Sequence, residues 1–110
     1  MKLGEIRVIV KRPADITGKV HIIPNTLEKF QELVQGPIEC VRIQNFILIM
    51  NEEGLLRKMK PNIWPLELMS PIVGPVVVAG VDGEEFTDCP LRMGEWMKII
   101  KDWKVDYDRT

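Results

Sequence analysis

The run Phe46-Ile47-Leu48-Ile49-Met50 decides how the rest of the chain must fold. Side chains on a strand alternate between its two faces, and five consecutive apolar residues leave neither face polar. The run therefore predicts a central strand that is covered on both sides. Asn51-Glu52-Glu53-Gly54 follows with the composition of a hairpin turn, and residues 55–59 are expected to form the returning strand.

Further strands are predicted around this central one from apolar residues that alternate with polar ones or run continuously. The strongest of these signals is the run 72–80, in which Pro75 indicates a bulge or a sheet edge because proline has no N–H to donate. The remaining strands are predicted at 4–12, 19–23, 38–43 and 84–86.

Two segments carry apolar residues at helical spacing. The first helix is predicted over 26–35, with Asn25 as its N-cap and Gly36 in the left-handed position after its last turn. The second is expected to follow an N-cap at Thr87 or Asp88. Its apolar stripe consists of Met93, Trp96, Ile99, Ile100 and Trp103.

The order of these elements predicts an α+β fold: a mainly antiparallel sheet of about five to six strands with two α-helices packed on it. Both helices are expected on the same face. The 110 residues suit a single domain spanning 1–110, with an ordered core over about 4–104 and a frayed C-terminal tail over 105–110.

The charge of the chain is nearly balanced, with 15 lysines and arginines against 16 acidic residues. A nucleic-acid binder that relies on overall electrostatic attraction would be clearly basic. The charge is unevenly placed, since residues 1–60 hold ten basic and seven acidic side chains and residues 61–110 hold five and nine. Recognition by charge is therefore expected only at local patches.

No apolar run approaches the roughly 18 residues of a membrane span, and charged residues near the N-terminus do not favour a secretion signal. The chain is therefore expected in the cytoplasm, away from membranes. Cys40 and Cys89 lie far apart and form no Cys-x-x-Cys pair, so the sequence predicts reduced thiols and no metal site.

Sequence patterns of catalysis are missing. The chain has no phosphate-binding glycine loop, no nucleophile elbow and a single histidine, His21. We predict no catalytic residues, no cofactor and no enzymatic activity, although a pairing of His21 with Cys40 or Cys89 stays open as a weaker alternative. The acidic residues Asp82, Glu84, Glu85 and Asp88 lack the spacing of a calcium loop and are interpreted as solvated.

Two short basic stretches could contact phosphates, and a nearby tryptophan, Trp64, could stack on a base. The alternative is that they are solvated strand edges, where lysine also discourages unwanted pairing. The candidate nucleic-acid-binding residues are Lys11, Arg12, Arg57, Lys58 and Lys60.

The segment 61–71 is rich in proline and unusually apolar for a loop. Its large side chains could fold back over the sheet as core, or they could form an exposed patch that binds another protein. The candidate protein-binding residues are Trp64, Leu66, Leu68 and Met69.

The order and spacing of several turn and cap motifs resemble a family of small proteins of unknown function (DUF3846), found in bacteriophages, integrative elements and Firmicutes. The resemblance covers about residues 5–100. This chain departs from the family pattern at Ile63-Trp64-Pro65. The motifs are Thr26-Leu27-Glu28, Gln31-Glu32-Leu33-Val34, Gly36, Ile38-Glu39, Asn51-Glu52-Glu53-Gly54, Pro61-Asn62, Ile72-Val73-Gly74 and Val78-Ala79-Gly80-Val81-Asp82-Gly83-Glu84-Glu85-Phe86.

The resemblance implies no chemistry but suggests an accessory protein of a phage or mobile element. Our leading hypothesis is a non-enzymatic interaction protein, monomeric or homodimeric, that binds a host or phage protein and modulates a host factor or defence system. A nucleic-acid- or nucleotide-binding module is the second hypothesis. A small-ligand sensor or enzyme is the third.

Overall fold

The structure is a computed structural model that describes residues 3–105 of the chain, so residues 106–110 of the predicted frayed tail lie outside the described residues. Eight strands and two helices are described. They are β1 (Glu5–Lys11), β2 (Lys19–Pro24), α1 (Leu27–Val34), β3 (Ile38–Ile43), β4 (Phe46–Asn51), β5 (Pro61–Ile63), β6 (Ile72–Val73), β7 (Val76–Asp82), β8 (Glu85–Thr87) and α2 (Met93–Lys101).

One antiparallel sheet organises these elements, in the strand order β2-β1-β7-β4-β3, and β8 pairs with β7 outside that path. Val78 of β7 is the centre of the sheet, because it faces Ile9 of β1 on one side and Leu48 of β4 on the other. The predicted α+β class, a mainly antiparallel sheet of five to six strands with two helices, is confirmed.

The two helices cover opposite faces of the sheet. Val77 packs in one core cluster with Phe30 and Val34 of α1, whereas its neighbour Val78 packs in another with Trp96 of α2. We call these sides the α1 face and the α2 face. The expectation that both helices lie on one face is wrong, since a central strand that is apolar on both sides needs a layer on each.

The central strand itself is confirmed, because every residue of β4 is buried. The predicted return strand at 55–59 is wrong, and residues 52–58 form turns. Arg57 N donates to Glu53 O at 2.8 Å and Met59 N donates to Gly54 O at 3.0 Å. These local bonds satisfy backbone groups that a strand ladder would otherwise have satisfied.

The predicted strand 72–80 is divided at Gly74 and Pro75. Gly74 has a φ of 76°, in the left-handed region that glycine adopts without strain. The part before the break, β6, pairs with β5 in a separate two-stranded sheet. Ile63 of β5 and Ile72 of β6 then join the core of the α2 face, which this small sheet helps to cover.

Helix α1 lies where the sequence predicts it, but its N-cap is Thr26 and not Asn25. The Thr26 hydroxyl accepts from Lys29 N at 3.2 Å. Asn25 instead donates through Nδ2 to Phe86 O at 2.8 Å, which ties the start of α1 to β8. The left-handed residue at the other end is Gln35, with a φ of 68°, immediately before the expected Gly36.

Helix α2 begins later than expected, at Met93, with Glu95 accepting from Arg92 N at 3.0 Å. Asp88, one of the two expected caps, instead contacts β1, where its Oδ1 accepts from Arg7 N at 2.7 Å. Cys89 N then donates to Arg7 O at 2.7 Å, so the chain runs beside β1 before the helix starts.

Candidate functional site

The apolar segment 61–71 is divided between core and surface. Trp64 is only 7% exposed, so the prediction that it is one of the exposed protein-binding residues is wrong. Its indole Nε1 donates to Leu68 O at 3.0 Å, and its backbone N donates to Trp103 O at 2.8 Å. A tryptophan buries a large apolar area once its one polar atom has an acceptor, which explains why this side chain turns inward.

The other three candidates keep some or all of their surface. Leu66 is 64% exposed and Met69 is 99% exposed, whereas Leu68 is half-buried against the core of the α2 face. The proline-rich segment therefore anchors itself through Trp64 and Leu68 and presents Leu66 and Met69 to solvent.

Met69 lies on a cleft of about 220 Å³ between β3, the end of β4 and the segment 68–73. We call it the β3 cleft. Its apolar walls include Val41, Leu68 and Leu55, and the last of these is 60% exposed. Sequence reasoning missed Leu55 because it placed that residue on a strand. The sequence feature that could have indicated an apolar surface is the pair Leu55-Leu56, two adjacent apolar residues after a predicted turn. In the structure Leu56 is 83% exposed.

The charges that line the β3 cleft have one sign. Glu39 and Glu52 both line it, and no lysine or arginine is among its described lining residues. Glu39 and Val41 are two positions apart on β3, so their side chains lie on the same face of the sheet. The cleft therefore combines an apolar floor with an acidic border along an edge strand.

The predicted basic patch is not one surface. Lys11 is only 5% exposed, and its Nζ donates to Asn62 Oδ1 at 2.6 Å. Burial lowers the pKa of Lys11, and the nearby Asp15 carboxylate opposes part of that change. Its assignment as a surface nucleic-acid contact is therefore wrong.

The remaining basic candidates are exposed, but Arg57 has a structural partner, because its Nη1 donates to Gln35 O at 2.7 Å beyond the end of α1. Arg12, Lys58 and Lys60 keep their exposure. Trp64, the predicted stacking partner, is buried, so the arrangement of basic and aromatic groups that would favour nucleic acid is not formed.

The structure separates the groups that a Cys–His catalytic pair would need. His21 lies on β2 and Cys40 on β3, which are the two ends of the strand order in the sheet. Cys89 is buried in the core of the α2 face. Burial raises the pKa of both thiols, and Glu39 raises that of Cys40 further, which disfavours the reactive thiolate.

Within residues 3–105, no group of three or more histidine, cysteine, aspartate and glutamate side chains is placed to hold a metal ion. In the same part of the chain, no helix is long and apolar enough to span a membrane.

Comparison with known proteins gives one match. The model of a family described as "Domain of unknown function (DUF3846)" matches residues 6–102. No curated protein and no solved structure matches the chain. The match covers most of the chain, including both helices and all eight strands except the start of β1.

Proposed function

Since the chain belongs to the DUF3846 family, whose function is unknown, we propose a function from the surface of this member. It is a small, non-enzymatic interaction protein. Its β3 cleft receives an extended, basic segment of a partner protein, which adds a strand to the edge of β3. The observation that carries this proposal is the exposure of Met69 and Leu55 on the walls of an apolar cleft with an acidic border.

Exposed apolar side chains around a cleft favour a partner. A single exposed leucine or methionine is ordinary, but several around one depression are typical of a binding site. Met69 and Leu55 stand beside the cleft, and Leu56 extends the apolar surface from the same turn. Burial of these side chains against a partner contributes about 25 cal/mol for each square ångström of apolar surface removed from water.

The position of β3 favours an extended segment over a helix. β3 is the last strand on its side of the described sheet, so one row of its backbone N–H and C=O groups points away from β4. A partner strand can pair with that row, and its alternate side chains then lie over Val41 and Glu39. The backbone would supply the pairing and the cleft would supply the selectivity.

The acidic border sets the charge of the partner. Glu39 and Glu52 line the cleft without a basic neighbour among its described lining residues. A lysine or arginine beside an apolar residue in the partner would satisfy both parts of the site. Complementary charge of this kind mainly speeds association and rejects acidic competitors.

The proposal also includes where the partner comes from and the compartment in which the two proteins meet. The likeness to accessory proteins of phages and mobile elements favours a host or phage protein, such as a defence factor. Cys40 and Cys89 are free thiols, one exposed and one buried. Free thiols are typical of the cytoplasm, where we place the interaction.

The test is a selection of random 12-residue peptides displayed on particles against the full chain. We expect the enriched peptides to alternate apolar residues with lysine or arginine. A synthetic peptide of the selected sequence should lose about tenfold or more in affinity, about 1.4 kcal/mol, for Met69→Asp and for Glu52→Lys. Amide hydrogen exchange should slow along β3 when the peptide binds.

Matched control variants come from the segment 61–71, which also contains Met69. Leu66 and Glu67 are also exposed, but they line a different cleft, beside Trp103. Leu66→Asp and Glu67→Lys should bind the peptide within twofold of the unmodified chain. Equal losses in the controls, enriched peptides without basic residues, or protection that is confined to other strands would each contradict the proposal.

A further inference from the structure

A second and larger cleft, of about 530 Å³, lies beside α2 and shares no lining residue with the β3 cleft. Its volume is in the range of small-molecule sites. It is bounded by the turn at 13–17, by β5 and by the C-terminal half of α2. We call it the Lys11 cleft, after the charged residue that lines it.

The lysine is held in place by a buried asparagine. Lys11 Nζ donates to Asn62 Oδ1 at 2.6 Å and to Arg12 O at 3.4 Å. Asn62 Nδ2 donates to Lys11 O and to Gly74 O, both at 2.8 Å. Asn62 uses both donors and its oxygen in these bonds, so its role is to fix the lysine side chain.

The ammonium group has capacity for a further partner. A lysine ammonium carries three donors, and residues 3–105 supply acceptors for two of them. Within those residues no carboxylate forms a salt bridge with Lys11, and the nearby Asp15 carboxylate only partly offsets its burial. A buried charge without a counter-ion is costly, and a bound anion would remove that cost.

More basic than acidic side chains line the border of the Lys11 cleft. Lys101 and Lys104 of the α2 end line it, and Asp15 is the acidic residue among the described lining residues. Asp15 is itself engaged, because its Oδ2 accepts from Arg12 N at 2.9 Å. The field at the mouth of the cleft therefore attracts anions.

The remaining walls are apolar. Ile16 is 90% exposed and Met97 is 48% exposed, although both line the cleft beside the buried Ile63 and Ile100. Exposed apolar side chains in a cleft that Lys11 also lines suit a ligand that has an apolar body and an anionic end.

We propose that the Lys11 cleft binds a small amphipathic anion. Its oxyanion head group accepts a hydrogen bond from Lys11 Nζ, and its apolar body packs on Ile16 and Met97. A carboxylate and a phosphate monoester share this head-group chemistry. This site is separate from the proposed protein-binding cleft, so either one can fail without the other.

The test measures the binding of octanoate, octyl phosphate and octanol to the full chain by titration calorimetry and amide chemical shifts. We expect one or both anions to bind and to shift the amides of Thr17, Met97 and Lys101. Tighter binding of octanoate or of octyl phosphate identifies the head group. Octanol, which has the same chain without the charge, should bind at least tenfold more weakly.

Three variants complete the test. Lys11→Met keeps an unbranched side chain, one atom shorter, but removes the donor, and it should weaken anion binding at least tenfold. Ile16→Asp places a carboxylate on an exposed wall, where it cannot disturb the core, and should weaken binding similarly. Lys98→Met removes an exposed lysine of α2 that does not line the cleft and should bind within twofold of the unmodified chain.

Three results would overturn the proposal. They are the lack of any amide shift at millimolar anion, octanol binding as tight as octanoate, and Ile16→Asp binding both anions as the unmodified chain does.

Discussion

The two faces of the sheet are covered by different means. On the α1 face a single eight-residue helix inserts Phe30 and Val34, which are fully buried, and the ring of Phe86 lies edge-on to Phe30 with 4.9 Å between ring centroids. On the α2 face the cover consists of α2, the small β5–β6 sheet and the segment between these two strands.

The difference shows where binding sites can arise. One helix on a sheet leaves a continuous core, whereas several separate pieces leave gaps where they meet. The β3 cleft lies beside Leu68 and Ile72, and the Lys11 cleft lies beside Ile63 and Ile100. The three isoleucines belong to the α2-face core, and Leu68 packs against it. Both proposed sites are therefore on the face with the composite cover.

The largest effects should come from removing the main side chain of each face. Trp96→Ala and Phe30→Ala should each lower the free energy of unfolding by about 3–5 kcal/mol. Trp96→Ala should cost more, because Trp96 Nε1 donates to Thr17 O at 2.9 Å and that oxygen would lose its donor. Urea unfolding followed by circular dichroism measures both. A smaller loss for Trp96→Ala would show that the composite cover contributes less than the single helix.

A smaller effect distinguishes two buried asparagines. Asn62→Ala should lower the free energy of unfolding by about 3 kcal/mol, since three bonds are lost and one of them is to a charged group. Asn51, near the end of α1, donates to Val34 O and accepts from Glu53 N. Asn51→Ala should cost about 1.5 kcal/mol. Equal losses in urea unfolding would mean that Lys11 does not depend on Asn62.

The smallest predicted effect is the contribution of Lys11 to the pH dependence of the free energy of unfolding. Burial lowers the pKa of Lys11 from its ordinary value of 10.5. Between the lowered pKa and 10.5, the unfolded chain binds more protons than the folded one, so this group makes stability rise with pH. The free energy of unfolding should therefore rise, relative to Lys11→Met, as the pH goes from neutral toward 10.5. A constant difference between the two proteins across that range would refute this.

The sequence correctly predicted the elements whose structure follows from the pattern of neighbouring residues. The apolar run 46–50 specifies a covered strand, and the stripe in 26–35 specifies α1, because these signals depend on neighbours in sequence. The same run also implied a layer on each side of the sheet. The placement of both helices on one face missed that consequence.

Two errors show different limits of a local pattern: a distant residue can take a polar group, and local turns can replace a strand. Asp88 could cap a helix, but Arg7 N of β1 takes its carboxylate. The predicted strand 55–59 gives way to turns that bond locally. The first outcome depends on a tertiary contact that the residues around Asp88 do not reveal, and the second on local hydrogen bonds that an alternating pattern does not reveal.

The sequence predicted only part of the candidate site, because the burial of a side chain depends on contacts in the folded chain. An apolar loop indicates either core or surface, and only the folded chain shows that Trp64 reaches the Leu68 carbonyl and turns inward while Met69 does not. Lys11 looked like a surface charge beside Arg12. The alternation of β1 places it on the side of Ile9, inside the fold, and that position was readable from the strand pattern.

The place of β7 at the centre of the sheet has a consequence for how the chain acquires its structure. The hairpins β1–β2 and β3–β4 each form from adjacent segments, and in the described sheet they are joined through β7, which begins at Val76. During synthesis from the N-terminus, two apolar strand edges therefore stay unpaired until β7 has been made. Such edges favour association between unfinished chains, and long-range closure slows folding.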